Sequence, residues 1–232
     1  MKRLDDCMYR ENCTYEKNEC DFSCKRYKRT RFLLDVSNIP ESLRTVNLLE
    51  ASTVDVDAFT TLAAIKNNID DFVSNGRILY LWSNTCGNGK TTWSIKMGLE
   101  YINQVWKYHY ERPVVVFISV PDFLYKSKCF NSNMEDTARK IRQYAEKADL
   151  VIFDDIGLDY ISKYDYASIF SLIDTLSMNN KSMIFTSNYD PKKLSQFVGE
   201  RLPSRICNDY IVELKGEDKR KARRINELLG GK

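Results

Sequence analysis

Arg77 to Trp82 reads RILYLW, and the chain continues Ser83-Asn84-Thr85-Cys86-Gly87-Asn88-Gly89-Lys90-Thr91-Thr92. The first six residues are apolar and rich in β-forming side chains, which predicts a buried strand. From Trp93 to Lys107 the pattern predicts a helix. A strand, a glycine-containing loop closing on Gly-Lys-Thr and a helix are the context of a phosphate-binding loop. Gly87 and Gly89 let backbone N–H groups curl around phosphate oxygens, and the helix start aims its positive dipole end at the same anion. Lys90 is placed to neutralise the β- and γ-phosphates of ATP, and the Thr91 hydroxyl to ligate Mg²⁺. The full pattern has glycine five residues before Gly89, and this chain has Asn84 there. Asn accepts left-handed backbone angles better than most residues, so the loop is expected to form.

Upstream, residues 57–73 carry Phe59, Leu62, Ile65, Ile69, Phe72 and Val73 near helical spacing, and Gly76 follows as a C-terminal cap. Downstream, residues 147–156 read KADLVIFDDI. This predicts a buried strand, expected beside the phosphate-loop strand, with Asp154 and Asp155 at its end. Asp154 is assigned to Mg²⁺ and Asp155 to polarising the attacking water. Between these motifs, PVVVFISV at 113–120 predicts another strand, followed by helices from about Asp122 and from Met134 to Lys147.

After the acids, Tyr166 to Met178 predicts a helix, and SMIFTS at 182–187 a strand ending at Asn188. Asn188 is placed either to orient the water against the γ-phosphate or simply to open the turn before Asp190-Pro191. Arg201 and Arg205, four apart, share a helix face if Pro203 leaves that helix intact. Such an arginine is either half of a surface salt bridge or a finger onto a neighbouring copy's γ-phosphate. Tyr210 to Leu214 predicts the last strand.

The 232 residues carry 35 basic and 32 acidic side chains, a net charge of +3. That excludes a uniformly basic, histone-like protein, and 43% hydrophobic residues exclude a wholly disordered one. The charge is unevenly spread. Residues 1–31 hold nine basic against six acidic residues, and residues 215–232 seven against three, so the middle is acidic. Basic ends suit an acidic partner, nucleic acid first, or are solvated tails. No apolar stretch follows the opening charges and no run approaches a membrane span, so a cytoplasmic protein with reduced thiols is expected.

Four of the seven cysteines, Cys7, Cys13, Cys20 and Cys24, fall in the first 24 residues with spacing C-x5-C-x6-C-x3-C. Four thiolates can surround one Zn²⁺, and a segment this short and polar needs a metal to fold. Unligated thiols in an arm, or disulfides, are the other readings. Lys25-Arg26-Tyr27-Lys28-Arg29-Thr30-Arg31 follows, able to meet phosphates or an acidic protein surface. The expected organisation is a zinc module at 1–31, a linker at 32–56, an αβα P-loop domain with a parallel sheet at 57–214 and a basic tail at 215–232.

Together, LWSNTCGNGKTT, LVIFDDIG, IFTSNY and GERLPSRI resemble the AAA+ ATPases that load replicative helicases in bacteria. The GNGKTTW form looks most like the shorter loaders of phages and prophages. The resemblance covers roughly residues 57–214, and in outline the N-terminus, since some loaders carry a small zinc-binding domain that grips the helicase. It implies an Mg²⁺-dependent ATPase that places a hexameric helicase on single-stranded DNA. By it, residues 84–92 match the phosphate loop, Asp154 and Asp155 the two acids, Asn188 the first sensor and Arg205 the trans-acting finger, with Arg201 beside it. It also implies self-association into a helical or ring oligomer, DNA contact near Phe123, Tyr125, Lys126 and Lys128, and no full helical lid after Leu214. The departure at Asn84 bears on turnover more than on nucleotide binding. Two other functions fit the same motifs: the ATPase helper of a transposase, and a non-hydrolysing helicase adaptor.

Overall fold

The computed structural model describes residues 7–8, 13, 22–45, 53–108, 111–128, 132–157 and 166–219. Among these residues, five parallel strands form one sheet: β1 (Ile78–Trp82), β2 (Val115–Ser119), β3 (Leu150–Asp154), β4 (Ser182–Ser187) and β5 (Tyr210–Glu213), in the order β2-β3-β4-β1-β5. The acid-bearing β3 is therefore not beside the phosphate-loop strand, as the sequence had suggested. β4 lies between them, so the two motifs meet across one intervening strand.

Side chains alternate across the sheet. Leu79, Leu81, Ile152 and Ile184 face one apolar layer, and Tyr80, Val151, Phe153 and Phe185 the other. The first layer is covered by α1 (Lys25–Val36), α2 (Glu41–Arg44), α3 (Val56–Asn67), α4 (Ile69–Ser74) and α5 (Lys90–Val105). The second is covered by α6 (Val120–Lys128), α7 (Ser132–Lys147), α8 (Ala167–Met178), α9 (Pro191–Val198) and α10 (Arg201–Ile206). The αβα architecture expected from the sequence is present. A parallel sheet must bury both faces, which is why its strands read as continuous apolar runs.

Three boundaries differ from the sequence reading. The helix expected over 57–73 is two helices, α3 and α4, parted at Asn68 (φ −111°, ψ 35°), whose side-chain amide donates to Ala64 O at 2.9 Å. A short amide that bonds the preceding turn competes with the helix ladder. Gly76 (φ 61°) then closes α4 as expected, with Arg77 N–H reaching back to Phe72 O.

The boundary expected at residue 31 falls inside α1, and the stretch read as a linker supplies Leu33, Leu34 and Ile39 to the core. The basic run is partly spent on this docking. Arg26 donates to Asn103 Oδ1 and lies over the Trp106 ring, and Arg29 donates to Lys107 O. At the other end, Lys215 and Gly216 bond the Asp55 carboxylate, and Asp218 and Lys219 lie against Gly87.

Candidate nucleotide-binding site

β1 ends at Trp82, the chain turns through residues 83–89, and α5 begins at Lys90 with Gly89 as its N-cap. Gly87 (φ 75°) and Gly89 (φ 107°) take the left-handed angles this turn needs. The space where a Cβ would stand on Gly89 is open, as close approach of a phosphate requires. Asn84 is exposed and is not among the described non-glycine residues with positive φ, so this loop places no backbone demand for glycine there. Buried Ser83 supports the turn: its Oγ accepts from Thr85 N–H at 3.0 Å and from the Asn88 side-chain amide at 2.6 Å. Lys90 is only 6% exposed, and its ammonium donates to Thr85 O at 3.0 Å. Cys86 is exposed and Thr92 half-buried.

Across the sheet, Asp154 Oδ1 accepts from Thr91 Oγ1 at 2.8 Å and from Thr186 Oγ1 at 2.6 Å. The Thr186 hydroxyl also accepts the N–H of Asp155 at 3.0 Å, using its donor and an acceptor lone pair at once. Asp155 sits at φ 58°, an angle non-glycine residues seldom take. Burial pushes the Asp154 carboxyl above the ordinary aspartate range, and the Asp155 charge adds to this. The hydrogen bonds from Thr186 and Thr91 and the charge of Lys90 pull the other way. Thr91 and Asp154 offer only hard oxygen donors, the chemistry Mg²⁺ takes, so the residues fit that ion.

Ser187 aligns with Trp82 in the β1–β4 register, so Asn188 leaves β4 at the end of the sheet where the phosphate loop begins. Ser187 stitches this edge together: its Oγ donates to Ile156 O and its carbonyl accepts the Ser83 N–H. Lys90, Thr91, Asp154, Asp155 and half-buried Asn188 thus gather at the C-terminal ends of parallel strands, where open α/β sheets bind ligands.

Arg201 and Arg205 do share a face of α10. Pro203 lies in its first turn, where a missing N–H costs nothing. Both guanidiniums bond Asp174 on α8 of the same chain. Of the residues considered for DNA contact, Phe123 is buried at 3% exposure and belongs to the core; Lys126 is ion-paired with Asp122 at 2.6 Å, while Tyr125 and Lys128 are exposed.

Cys7 and Cys13 are half-buried and Cys24 buried, and Cys20 lies outside the described residues. Among the described residues no three His, Cys, Asp or Glu side chains come together as a metal-holding group, and no helix is long and apolar enough to cross a membrane.

Sequence reasoning missed Thr186, Asp174 and Asp55. Thr186 stood inside the quoted IFTSN stretch, one residue before Ser187, but nothing in a strand pattern announces which hydroxyl will face a carboxylate.

The chain is similar to known proteins in ways that agree with this geometry. Over 93 residues it is 29% identical to the replicative helicase loader DnaC of Buchnera aphidicola, covering 40% of this chain and 38% of that protein. It thus spans well under half the length of that relative. Its fold matches the crystal structure of the DnaC helicase loader (TM-score 0.58, 19% identity, 72% of this chain and 94% of that one). It also matches domain III of the Thermotoga maritima replication initiation protein DnaA (TM-score 0.56, 21% identity, 79% and 73%). At these identities the structural matches speak for the fold alone. A family profile described as IstB-like ATP binding protein matches residues 21–225, most of the chain, and the protein belongs to that family of ATP-binding proteins.

Proposed function

We propose that this protein is an ATP-driven loader, which binds a hexameric replicative DNA helicase and places it on single-stranded DNA. The observation that carries the chemistry is the meeting of Thr91 and Asp154 across β4, with Lys90 alongside. The likeness to a replicative helicase loader supports the choice of partner.

In this reading the N–H groups of residues 84–92 cradle the triphosphate, and Lys90 leaves Thr85 O for the β- and γ-phosphate oxygens. Thr91 and Asp154 hold Mg²⁺, which when bound neutralises charge developing on the phosphates. Asp155 accepts a proton from the attacking water and Asn188 orients it. Arg205 of one copy, with Arg201 beside it, reaches the γ-phosphate held by the next, so ATP orders an oligomer and hydrolysis loosens it. Cys7, Cys13, Cys20 and Cys24 hold Zn²⁺ in a module that grips the helicase, in the bacterial cytosol. Zinc analysis with thiol titration of the native protein tests that part; four freely titrating thiols and no zinc would remove it.

The central test is Lys90→Ala in a loading assay. Nucleotide-dependent loading should vanish while helicase capture through residues 1–31 persists; normal loading by the variant overturns the proposal. The family match favours a second reading, because IstB-like proteins include ATPase helpers of transposases. Parallel pull-downs with the host helicase and with a transposase on duplex DNA separate the two.

A further inference from the structure

The segment after β5 has no role in the chemistry above, yet its first residues are wired to the phosphate loop. Leu214 N–H donates to Trp82 O at 2.9 Å, and Leu214 O accepts from the Asn88 side-chain amide at 3.2 Å. Lys219 N–H donates to Gly87 O at 3.1 Å. The Asp218 carboxylate packs so close to Gly87 that a Cβ on that glycine would collide with Asp218 Oδ1. The Lys219 ammonium lies 4.7 Å from the centre of the Phe59 ring, which itself meets Trp93 of α5 edge-on.

What holds this segment down is Asp55, the last residue of the 3-10 turn Thr53–Asp55 and only 1% exposed. Its carboxylate accepts Lys215 N–H at 2.7 Å and Gly216 N–H at 2.9 Å, 160 residues along the chain. A buried carboxylate is tolerable only when hydrogen-bonded, and bonds to a charged acceptor are about twice as strong as neutral ones. The loop on the other side of the segment turns on two glycines of wide conformational range, and its internal bonds tie Ser83, Thr85, Asn88 and Lys90 but not Gly87, whose carbonyl accepts from Lys219. A loop that must be shaped before it can cradle an anion binds more weakly, because ordering opposes binding.

We propose that residues 214–219 form a clasp, keyed by Asp55, that pre-shapes the phosphate loop, and that Asp55 is a positioning residue for nucleotide binding. This rests on the nucleotide reading of residues 84–92. Coupling is reciprocal: a nucleotide that holds the loop must also hold the clasp.

The test uses the full chain as wild type, Asp55→Ala, Asp55→Asn and Lys219→Pro. Lys219→Pro removes the N–H to Gly87 O and the ammonium over Phe59, and leaves the Lys215 and Gly216 N–H bonds to the Asp55 carboxylate in place. Amide hydrogen exchange is followed without nucleotide, and the affinity for ATP with Mg²⁺ is measured by calorimetry. Asp55→Ala and Lys219→Pro should speed exchange across residues 84–92 and weaken ATP binding, each about tenfold, within the usual range of inter-site coupling. Exchange in β2 and β3 should stay unchanged, and Asp55→Asn, which keeps an acceptor, should fall between. Wild-type exchange at residues 84–92 in both Asp55→Ala and Lys219→Pro overturns the clasp, whatever ATP does. Faster exchange in a chain that binds no ATP even as wild type overturns the nucleotide role of Asp55 and the nucleotide reading together. Faster exchange with undiminished ATP affinity overturns the role of Asp55 alone.

Discussion

The guanidinium of Arg205 rests on the carboxylate of Asp174 in the same chain, with Arg201 on the other oxygen at 3.2 Å. One acid on α8 thus collects the two arginines of α10 that the sequence nominates for a neighbour's phosphate. Asp174 is 20% exposed and Arg205 31%, so the pair is partly desolvated but open to exchange. If Arg205 acts in trans, Asp174 is its resting partner and a competitor of the γ-phosphate.

Arg205→Ala is therefore expected to lower partner-stimulated ATP turnover by about 10³-fold, the scale of an arginine finger, with ATP affinity little changed. Asp174→Ala should act oppositely, shifting ATP-dependent self-association to several-fold lower protein concentration. Turnover and sedimentation across a concentration series check both. Full turnover by Arg205→Ala would return this arginine to a surface salt bridge.

Thr186 couples the two acids, donating to Asp154 and accepting from Asp155. Thr186→Val keeps the shape and removes the hydroxyl, leaving Asp154 short of one donor and the left-handed Asp155 without its tether. Turnover should fall about 10- to 100-fold, a misplaced-geometry effect, while ATP affinity changes little. Thr186→Ser should restore most of it. Equal losses in the Val and Ser variants would point to packing rather than the hydroxyl.

Asn84→Gly would restore the usual loop pattern, but Asn84 takes no left-handed angle. The change should leave ATP affinity within about twofold and cost about 0.4–1 kcal/mol of stability through the freer unfolded chain. Calorimetry and denaturant melts measure the two. A large gain in affinity or turnover would show that the glycine matters in a way backbone angles do not reveal, and would revive the non-hydrolysing adaptor for the natural chain.

Burial raises the Asp154 carboxyl above its unfolded value, so the folded state holds that proton to higher pH than the unfolded chain does. Without Mg²⁺ this residue therefore costs stability as pH climbs from the ordinary aspartate range through the raised value. Asp154→Asn, which keeps an oxygen to accept from Thr91 and Thr186, should raise the metal-free melting temperature at pH 7. It should do so little near pH 4, and Mg²⁺ should then stabilise the wild type alone. An Asn variant that melts lower than wild type at pH 7 in the absence of Mg²⁺ would contradict this.

Much of the site was legible because its chemistry is local. Residues 84–92 need glycine, lysine and a hydroxyl within one turn, and a buried strand ending in two acids is a pattern of ten residues. The same holds for the strands, whose apolar runs announce burial on both faces, and for the Gly76 cap. The sequence by itself determined the glycine-bearing turn between β1 and α5, the acid pair at the end of its strand, the parallel αβα layering and the placement of Asn188 after its strand.

Tertiary structure decided what depends on distance along the chain. Strand order is one such thing: only the folded sheet inserts β4 between the loop and the acids, and so brings Thr186 to Asp154. The partners of Asp55, Asp174 and Arg26 lie 160, 31 and 77 residues away, where no spacing rule reaches. A buried carboxylate or a half-buried guanidinium takes whichever donor or acceptor packing delivers, and packing is a property of the whole core. For that reason α1 packs into the same layer as α3, α4 and α5, and the start of the basic tail bonds the loop at Gly87.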